Sequence, residues 1–242
     1  MAEPKYKRIL VKLSGEALGG REGSVLDPGM VDKLSTELLE LREAGIQVGV
    51  VVGGGNLLRG AALADAGLDR VTCDHMGMLA TVMNALALRD GIQRQNGVAT
   101  VMSGLQIPQV CENFTHREAR QQIEAGEIVI FAAGTGNPYF TTDTGASLRA
   151  IEIEADLMIK ATKVDGIYDK DPVKHEDAVR FDELSFHQAI DQRLAVMDVA
   201  AMILCNDNGL DLVVCDINQS AALLDLARGK SVGTRVTPGE TK

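Results

Sequence analysis

A chain of 242 residues that is 45% hydrophobic has apolar surface enough for one large core or two smaller ones. Its formal net charge of −10 lacks the basic footprint that a phosphate backbone or an anionic bilayer demands, so neither nucleic acid nor a membrane is expected as a partner. With no Trp, three Tyr and five Phe, the chain also lacks the aromatic platforms on which single strands stack.

Residues Met1 to Arg8 are polar and carry no signal-peptide core, and no run approaches the roughly 20 apolar residues of a membrane helix. A cytoplasmic location is expected. Cys73, Cys111, Cys205 and Cys215 form no C-x-x-C pair and have no histidine at zinc spacing, and the histidines are scattered without an H-E-x-x-H. The cysteines read as small buried apolar residues in a reducing compartment, and no side chain is expected to ligate a metal directly.

In chain order, Arg8 to Leu13 reads as a strand. Val31 to Glu43 then carries Leu34, Leu38 and Leu41 at helical spacing. Gln47 to Val52 is a Val-rich strand that ends in three glycines. Asp74 to Arg94 reads as a helix with a stripe of Met76, Leu79, Met83, Leu86 and Ile92. Strands follow at Val98 to Met102, Ile128 to Ala132, Asp156 to Ala161 and Leu212 to Asp216. Helices are expected at Arg117 to Ala125, Leu184 to Leu204 and Ser220 to Gly229. Strands without polar alternation are covered by helices on both faces. The alternation therefore predicts an α/β fold, a three-layer α/β/α sandwich around a mainly parallel sheet. No repeat or Pro/Ser-rich linker divides the chain. One domain is expected, with two lobes meeting near Glu154.

Ligands of open α/β sheets collect at the carboxyl ends of strands, and four strand ends here are unusual. The first, Lys12-Leu13-Ser14-Gly15, sets a lysine before Ser-Gly without the Walker A order. Alone, this fits a surface lysine as well as a phosphate contact. The second, Gly53-Gly54-Gly55-Asn56-Leu57-Leu58-Arg59-Gly60, fails the dinucleotide fingerprint because its third glycine is Leu58. Three glycines still let amides approach a phosphate, with Arg59 as a planar cation, and a tight turn is the alternative. The third, Gly134 to Thr144, packs hydroxyls, an amide and glycines into one loop, and Asp143 stands where a helix N-cap is expected. The fourth, Lys160 to Pro172, carries Lys160 and Lys163, with Tyr168 suited to flank a base. A charged surface loop is the alternative.

Together these loops resemble the amino acid kinase superfamily and, within it, the bacterial UMP kinase family. The matching stretches are Lys12 to Ala17, Gly53 to Gly60, Asp74 to Thr81 (Asp-His-Met-Gly-Met-Leu-Ala-Thr), Gly134 to Asp143 and Lys160 to Gly166. The similarity runs from about Tyr6 to the C-terminus. It implies an amino acid kinase-like fold and reversible transfer of the γ-phosphoryl group of ATP to UMP, giving UDP and ADP, in pyrimidine nucleotide synthesis. It implies that Lys12, Leu13, Ser14, Gly15, Gly55, Arg59, Thr162, Tyr168 and Asp171 bind ATP. Gly54, Asp74, Thr135, Gly136, Asn137, Pro138, Tyr139, Phe140, Thr141 and Thr142 are implied for UMP. Lys12, Asp143 and Lys160 are implied as the catalytic groups. The resemblance further implies Mg²⁺ carried mainly on the ATP phosphates, a homohexamer built as a trimer of dimers, GTP activation and UTP inhibition. The activation is linked to the segment Gly20, Arg21, Glu22, Gly23, Ser24 and Val25. Tyr139 and Tyr168 depart from the pattern, since phenylalanine is also common there.

Two other readings compete. A kinase for a small carboxylate or carbamate would have little use for Asp74 and the Thr/Asn-rich loop, which suit a ribose and a base. A nucleotide-binding regulatory protein without turnover is also compatible with the fold. Keeping Lys12, Arg59, Asp143 and Lys160 together favours an enzyme.

Overall fold

The computed structural model describes residues 4–20, 24–58, 60–219 and 221–239. The apolar runs form strands β1 (Arg8–Leu13), β2 (Gln47–Val52), β3 (Ala99–Ser103), β5 (Ile128–Ala132), β6 (Leu157–Thr162) and β10 (Asp211–Asp216). Short strands β4 (Glu112–Asn113), β9 (Glu183–Ser185) and β11 (Thr234–Thr237) extend the sheet at its margins, and β7 (Ile167–Tyr168) pairs with β8 (Arg180–Phe181) as a separate ribbon. The nine-stranded sheet runs β4-β3-β5-β2-β1-β6-β10-β11-β9, and among the described residues only β10 and β11 pair antiparallel in it. Strands that precede Glu154 in sequence occupy one side of the sheet and those that follow occupy the other, with β1 beside β6 at the junction.

The helices are α1 (Pro28–Glu43), α2 (Gly60–Asp65), α3 (Arg70–Arg94), α4 (His116–Glu124), α5 (Thr142–Glu152), α6 (Phe186–Asp191), α7 (Val199–Asp207) and α8 (Ala222–Ala227). Side chains alternate across each strand, so one strand feeds two cores. Ile9, Val11 and Leu13 pack with Leu34 and Leu38 of α1, Leu88 of α3 and Leu223 of α8. Leu10 packs on the other face with Ala146 of α5, Phe186 of α6 and Met202 of α7. The result is the expected three-layer α/β/α sandwich. Several helix starts are capped by residues chosen for that position. Asp27 accepts from the amides of Gly29 and Met30 ahead of Pro28, and Asp69 accepts from Thr72. A cap of this kind stabilises by about 1 kcal/mol.

The relation of β1 to β6 is pinned at its start. The Asp156 carboxylate accepts from the amides of Lys7 and Arg8, at 2.8 Å each. The buried Arg8 guanidinium donates to the Ile153 carbonyl, to Gln47 and to Glu124. All four cysteines are buried and unbridged. Burial pushes the Cys205 thiol up to about 11 and Cys215 up to about 12, so both stay neutral.

One expectation is corrected. The stretch 184–204 is not one helix: it holds the end of β9, then α6, an irregular run at 192–198 and α7. Arg193 at φ 53 lies just past the end of α6. Met76, Leu79 and Met83 of the apolar stripe on α3 lie outside the core. These residues are 36%, 47% and 58% exposed, while α3 packs inward through Cys73, Val82, Ala85, Leu88 and Ile92. The helix therefore has a second apolar side.

Candidate active site

Lys12 and Lys160 lie opposite each other in the parallel β1–β6 ladder. Lys12 shares strand parity with Leu10, and Lys160 with Met158, both of which pack into the α5–α6–α7 core. Both lysines thus project onto the face that α5 covers, and there they meet Asp143 in the first turn of that helix. Lys160 Nζ donates to Asp143 Oδ2 at 2.7 Å and to the Val196 carbonyl at 2.6 Å. Lys12 Nζ stands 3.0 Å from Asp143 Oδ1 as an ion pair, and Oδ1 receives no hydrogen bond of good geometry. The three side chains are only 11%, 14% and 16% exposed for Lys12, Lys160 and Asp143. The sequence alternative of a surface lysine at position 12 is therefore set aside.

Two ammonium groups share the Asp143 carboxylate, so these three groups together carry a net positive charge in a nearly buried setting, with the Asp198 carboxylate within electrostatic reach of Lys160. Burial alone raises the Asp143 carboxyl, but the charges of Lys12 and Lys160 outweigh it and hold the group below its ordinary range. Burial is also the largest influence on Lys160. It pushes the ammonium down, Asp143 and more weakly Asp198 offset only part of that, and Lys12 adds to the depression. An anion bound beside the pair would relieve both effects.

The glycine loops form one wall. After β1 the chain turns at Gly15–Ala17 in a single 3₁₀ turn. A Cβ at Gly15 would meet Asn56 Oδ1 at 2.6 Å and the Gly53 carbonyl at 2.7 Å, so the loops after β1 and β2 interlock. The fully buried Asn84 of α3 locks them, donating to the Gly53 carbonyl and to Asn56 Oδ1 at 2.7 Å each. Gly54 backs onto α3, where a Cβ would come 2.8 Å from that of Ala80, while Gly55 faces open space. Ser14 precedes the turn without capping it. Arg59 lies outside the described residues.

Opposite stands the loop after β5. Ala133 (φ 60), Gly134 (φ 54) and Gly136 (φ 78) take left-handed conformations. The Thr81 hydroxyl accepts from the Ala133 amide at 2.7 Å, and Arg149 donates to the Gly134 carbonyl at 2.9 Å. Tyr139, at φ 69, directs its amide to Asp74 Oδ2 at 2.8 Å. Asp74 also pairs with Arg70, whose guanidinium lies 5.4 Å from the Tyr139 ring centre. Between α3 and this loop is a cleft of about 370 Å³ lined by Gly54, Gly55, Asp74, Thr135, Asn137, Phe140, Thr141 and Thr142. Gly136, Pro138 and Tyr139 belong to the loop but not to that lining. Asp143 does not cap α5. Thr141 does, because its hydroxyl reaches the amides of Asp143 and Thr144, which leaves the Asp143 carboxylate for the lysines.

Beyond β6 the remaining expected residues are engaged locally. The Thr162 hydroxyl closes a turn with Val164, the Tyr168 hydroxyl donates to Asp165 at 2.7 Å, and Asp171 accepts from the Val173 amide at 3.0 Å beside Lys174. Of the segment 20–25, residues 21–23 are outside the description, which leaves Arg21, Glu22 and Gly23 without an account. Gly20 and Ser24 line a cavity with Lys33 and Lys163, and the Val25 carbonyl accepts from Asn56. Sequence reading missed Asn84, Arg70, Val196 and Asp198. Asp198 alone left a signal, as an acidic residue just before an Ala-rich helical run.

A paired-lysine, glycine-walled site at the carboxyl ends of β1, β2 and β6 belongs to a known class. The chain is a member of the amino acid kinase family, whose model matches residues 7–216. Among its relatives are proteins named uridylate kinase. That of Alcanivorax borkumensis is 55% identical over 96% of this chain and 92% of the relative, and that of Methylococcus capsulatus is 54% identical over 99% and 100%. Among solved structures, the UMP kinase from Bacillus anthracis superimposes with a TM-score of 0.93 at 34% identity, covering 96% of each chain. The uridylate kinase from Archaeoglobus fulgidus superimposes with a TM-score of 0.73 at 26% identity, over 94% of this chain and 99% of that one.

Proposed function

We propose that this protein transfers the γ-phosphoryl group of ATP to UMP, reversibly, giving ADP and UDP on the route to CTP. The observation that carries the reading is the net positive charge of Lys12, Lys160 and Asp143 beside a cleft of nucleotide-monophosphate scale that presents Asp74, Asn137, Thr135, Thr141 and Thr142. Relatives named uridylate kinase, at 54–55% identity over nearly the full length, support the same substrates.

The acceptor is an oxygen of the UMP phosphate, already anionic near neutral pH, so no strong base is required. The chemical problem is to bring two anions together. In this reading Lys12 bridges the moving phosphoryl group, Lys160 takes up charge on the donor side, and Asp143 keeps both ammonium groups aimed. The amides of Ser14, Gly15, Gly54 and Gly55 supply further donors, and Arg59 a planar cation. The lobe before Glu154 binds UMP and the lobe after it binds ATP, through Thr162, Tyr168 and Asp171. Among the described residues no group of three or more His, Cys, Asp or Glu is arranged to hold a metal. Mg²⁺ is expected to arrive on the nucleotide's phosphates, where it would neutralise charge. Release of ADP from ATP that depends on UMP is the direct test, and no ADP above the UMP-free rate would refute the assignment.

Asp74 should read the UMP ribose. Asp74→Asn is expected to raise KM for UMP by more than KM for ATP, since a charged acceptor contributes about 1.5–3 kcal/mol. Its carboxylate already ties α3 to the Tyr139 amide, so equal weakening of both substrates would mark it as structural.

The chain should also assemble, through the second apolar side of α3, with another copy of itself as the occupant. Met76, Leu79 and Met83 are adaptable side chains spaced along one helix of 25 residues. A hexamer built from such dimers is the expected particle by light scattering, and a particle of one chain's mass would reject it. GTP is expected to activate through the 20–25 segment, of which Gly20 and Ser24 line a cavity with Lys33 and Lys163, and UTP to oppose it.

A further inference from the structure

We infer that Asp198 is a positioning residue for phosphoryl transfer, tying the start of α7 to the start of α5 and so setting where Asp143 and the cleft threonines stand. The inference rests on the function proposed above.

Asp198 caps α7 by accepting from the Ala201 amide at 3.0 Å. Capping needs only one acceptor oxygen, which Asn or Ser supplies about as well. The Asp198 carboxylate does more. It accepts from the Thr144 hydroxyl, at 3.0 Å to Oδ1 and 2.9 Å to Oδ2, and from the Thr141 hydroxyl. The donor sense is fixed by counting protons. Thr141 has one hydroxyl proton, given to Asp198, so its lone pairs are free to accept from the amides of Asp143 (3.1 Å) and Thr144 (3.2 Å). A relay therefore runs from the Asp198 carboxylate through the Thr141 hydroxyl to the backbone of Asp143. Two residues before Asp198, the Val196 carbonyl accepts from Lys160. The run 196–198 thus touches both members of the Lys160–Asp143 pair from behind, one through a carbonyl and one through a threonine. The second oxygen of Asp198 has no hydrogen-bond partner in α7, where the charge adds only the ordinary interaction with a helix N-terminus. Its hydroxyl partners lie on α5 and at that helix's cap, and its charge also acts on Lys160.

The test uses the full-length protein and compares Asp198→Asn with wild type for kcat, both KM values and thermal melting, with ATP, Mg²⁺ and UMP. Asparagine that keeps the α7 cap holds its single oxygen at the Oδ1 position, where it accepts from Ala201 and Thr144 and turns an N–H₂ toward Thr141. The expected result is a kcat lowered about tenfold or more and a KM for UMP raised about fivefold, with KM for ATP within about twofold, the pattern of a displaced acceptor site. A loss of folded fraction would lower kcat and leave both KM values alone, and that outcome would overturn the inference. Unchanged kinetics would do so equally. Thr144→Val removes one of the two hydroxyls at a buried position outside the cleft lining, and it decides the matter on the same criteria if Asp198→Asn does not fold. Wild type without UMP-dependent ADP release would overturn the proposed function and this inference together. Active wild type with indifferent variants overturns the inference alone.

Discussion

Lys12→Ala is expected to lower kcat by roughly 10²-fold or more while the protein still folds, the scale seen when one preorganised transition-state donor is removed. The geometry explains both halves of the result. Losing one member of a buried pair is ordinarily severe because a naked charge remains. Here Asp143 keeps Lys160 at 2.7 Å, so the remaining pair is neutral and the surplus charge disappears. The fold loses a repulsive contact between two ammonium groups as well as an attractive one. The reaction loses the cation at the junction of the two half-sites, where negative charge accumulates as the phosphoryl group moves. Turnover at saturating ATP and UMP, with a melting curve beside it, checks the prediction. A well-folded variant with near-normal turnover would remove Lys12 from the mechanism.

Discrimination between UMP and CMP should be larger still, by a factor of roughly 10² to 10⁴ in kcat/KM, because each unpaired buried polar group costs about 1–3 kcal/mol and cytosine mispairs at two positions. Uracil offers two carbonyl acceptors and an N–H donor, and cytosine reverses part of that pattern. The cleft has fixed polar groups with which to notice the difference. Its loop is braced by Thr81 and Arg149, and Thr141 is held by the first turn of α5. A braced loop cannot re-pair by swinging away, which makes the mismatch costly. Purines should fail on size too. Catalytic efficiencies measured side by side with one ATP and Mg²⁺ concentration decide it, and a ratio near one would leave only a general nucleoside monophosphate kinase.

The parts of this architecture that were readable from sequence are those with a local physical cause. Gln47–Val52 and Ile128–Ala132 are strands at their expected bounds because a buried parallel strand is simply an apolar run. The glycines at 53–55 and the loop at 134–143 announced a strand-end site because little else tolerates such backbone. What was hidden depends on distant partners. Strands β4, β7, β8 and β9 have two or three residues each, too short for a period to register. The start of α3 was set four residues late because Asp69 and Arg70 look like turn residues until the cap to Thr72 is seen. The break at 192–198 lies in a sequence with good helical spacing, and within it Val196 and Asp198 are engaged by Lys160 and α5. The alternative of Asp143 as a mere cap is set aside for the same kind of reason. Thr141, two residues earlier, takes that place, and the carboxylate is drawn to two lysines from other strands.

The pinning of β1 to β6 by Asp156 and Arg8 turns the sheet into a gauge. Lys12 and Lys160 occupy one rung, so their backbones are separated by the pitch between neighbouring strands, about 4.8 Å, whatever happens in the loops. Loops on either side are free to lengthen or shorten over evolutionary time without changing that interval. The two short runs from Arg8 to Lys12 and from Leu157 to Lys160 have no such freedom. A single inserted or deleted codon in either would turn its lysine toward α1, α3 and α8 and turn an apolar neighbour toward Asp143. Composition would barely change, yet charge and grease would trade places across the sheet. For anyone redesigning this scaffold, the tolerant positions lie in the loops and the intolerant ones in ten or so residues of strand, which is the reverse of where the chemistry is usually sought.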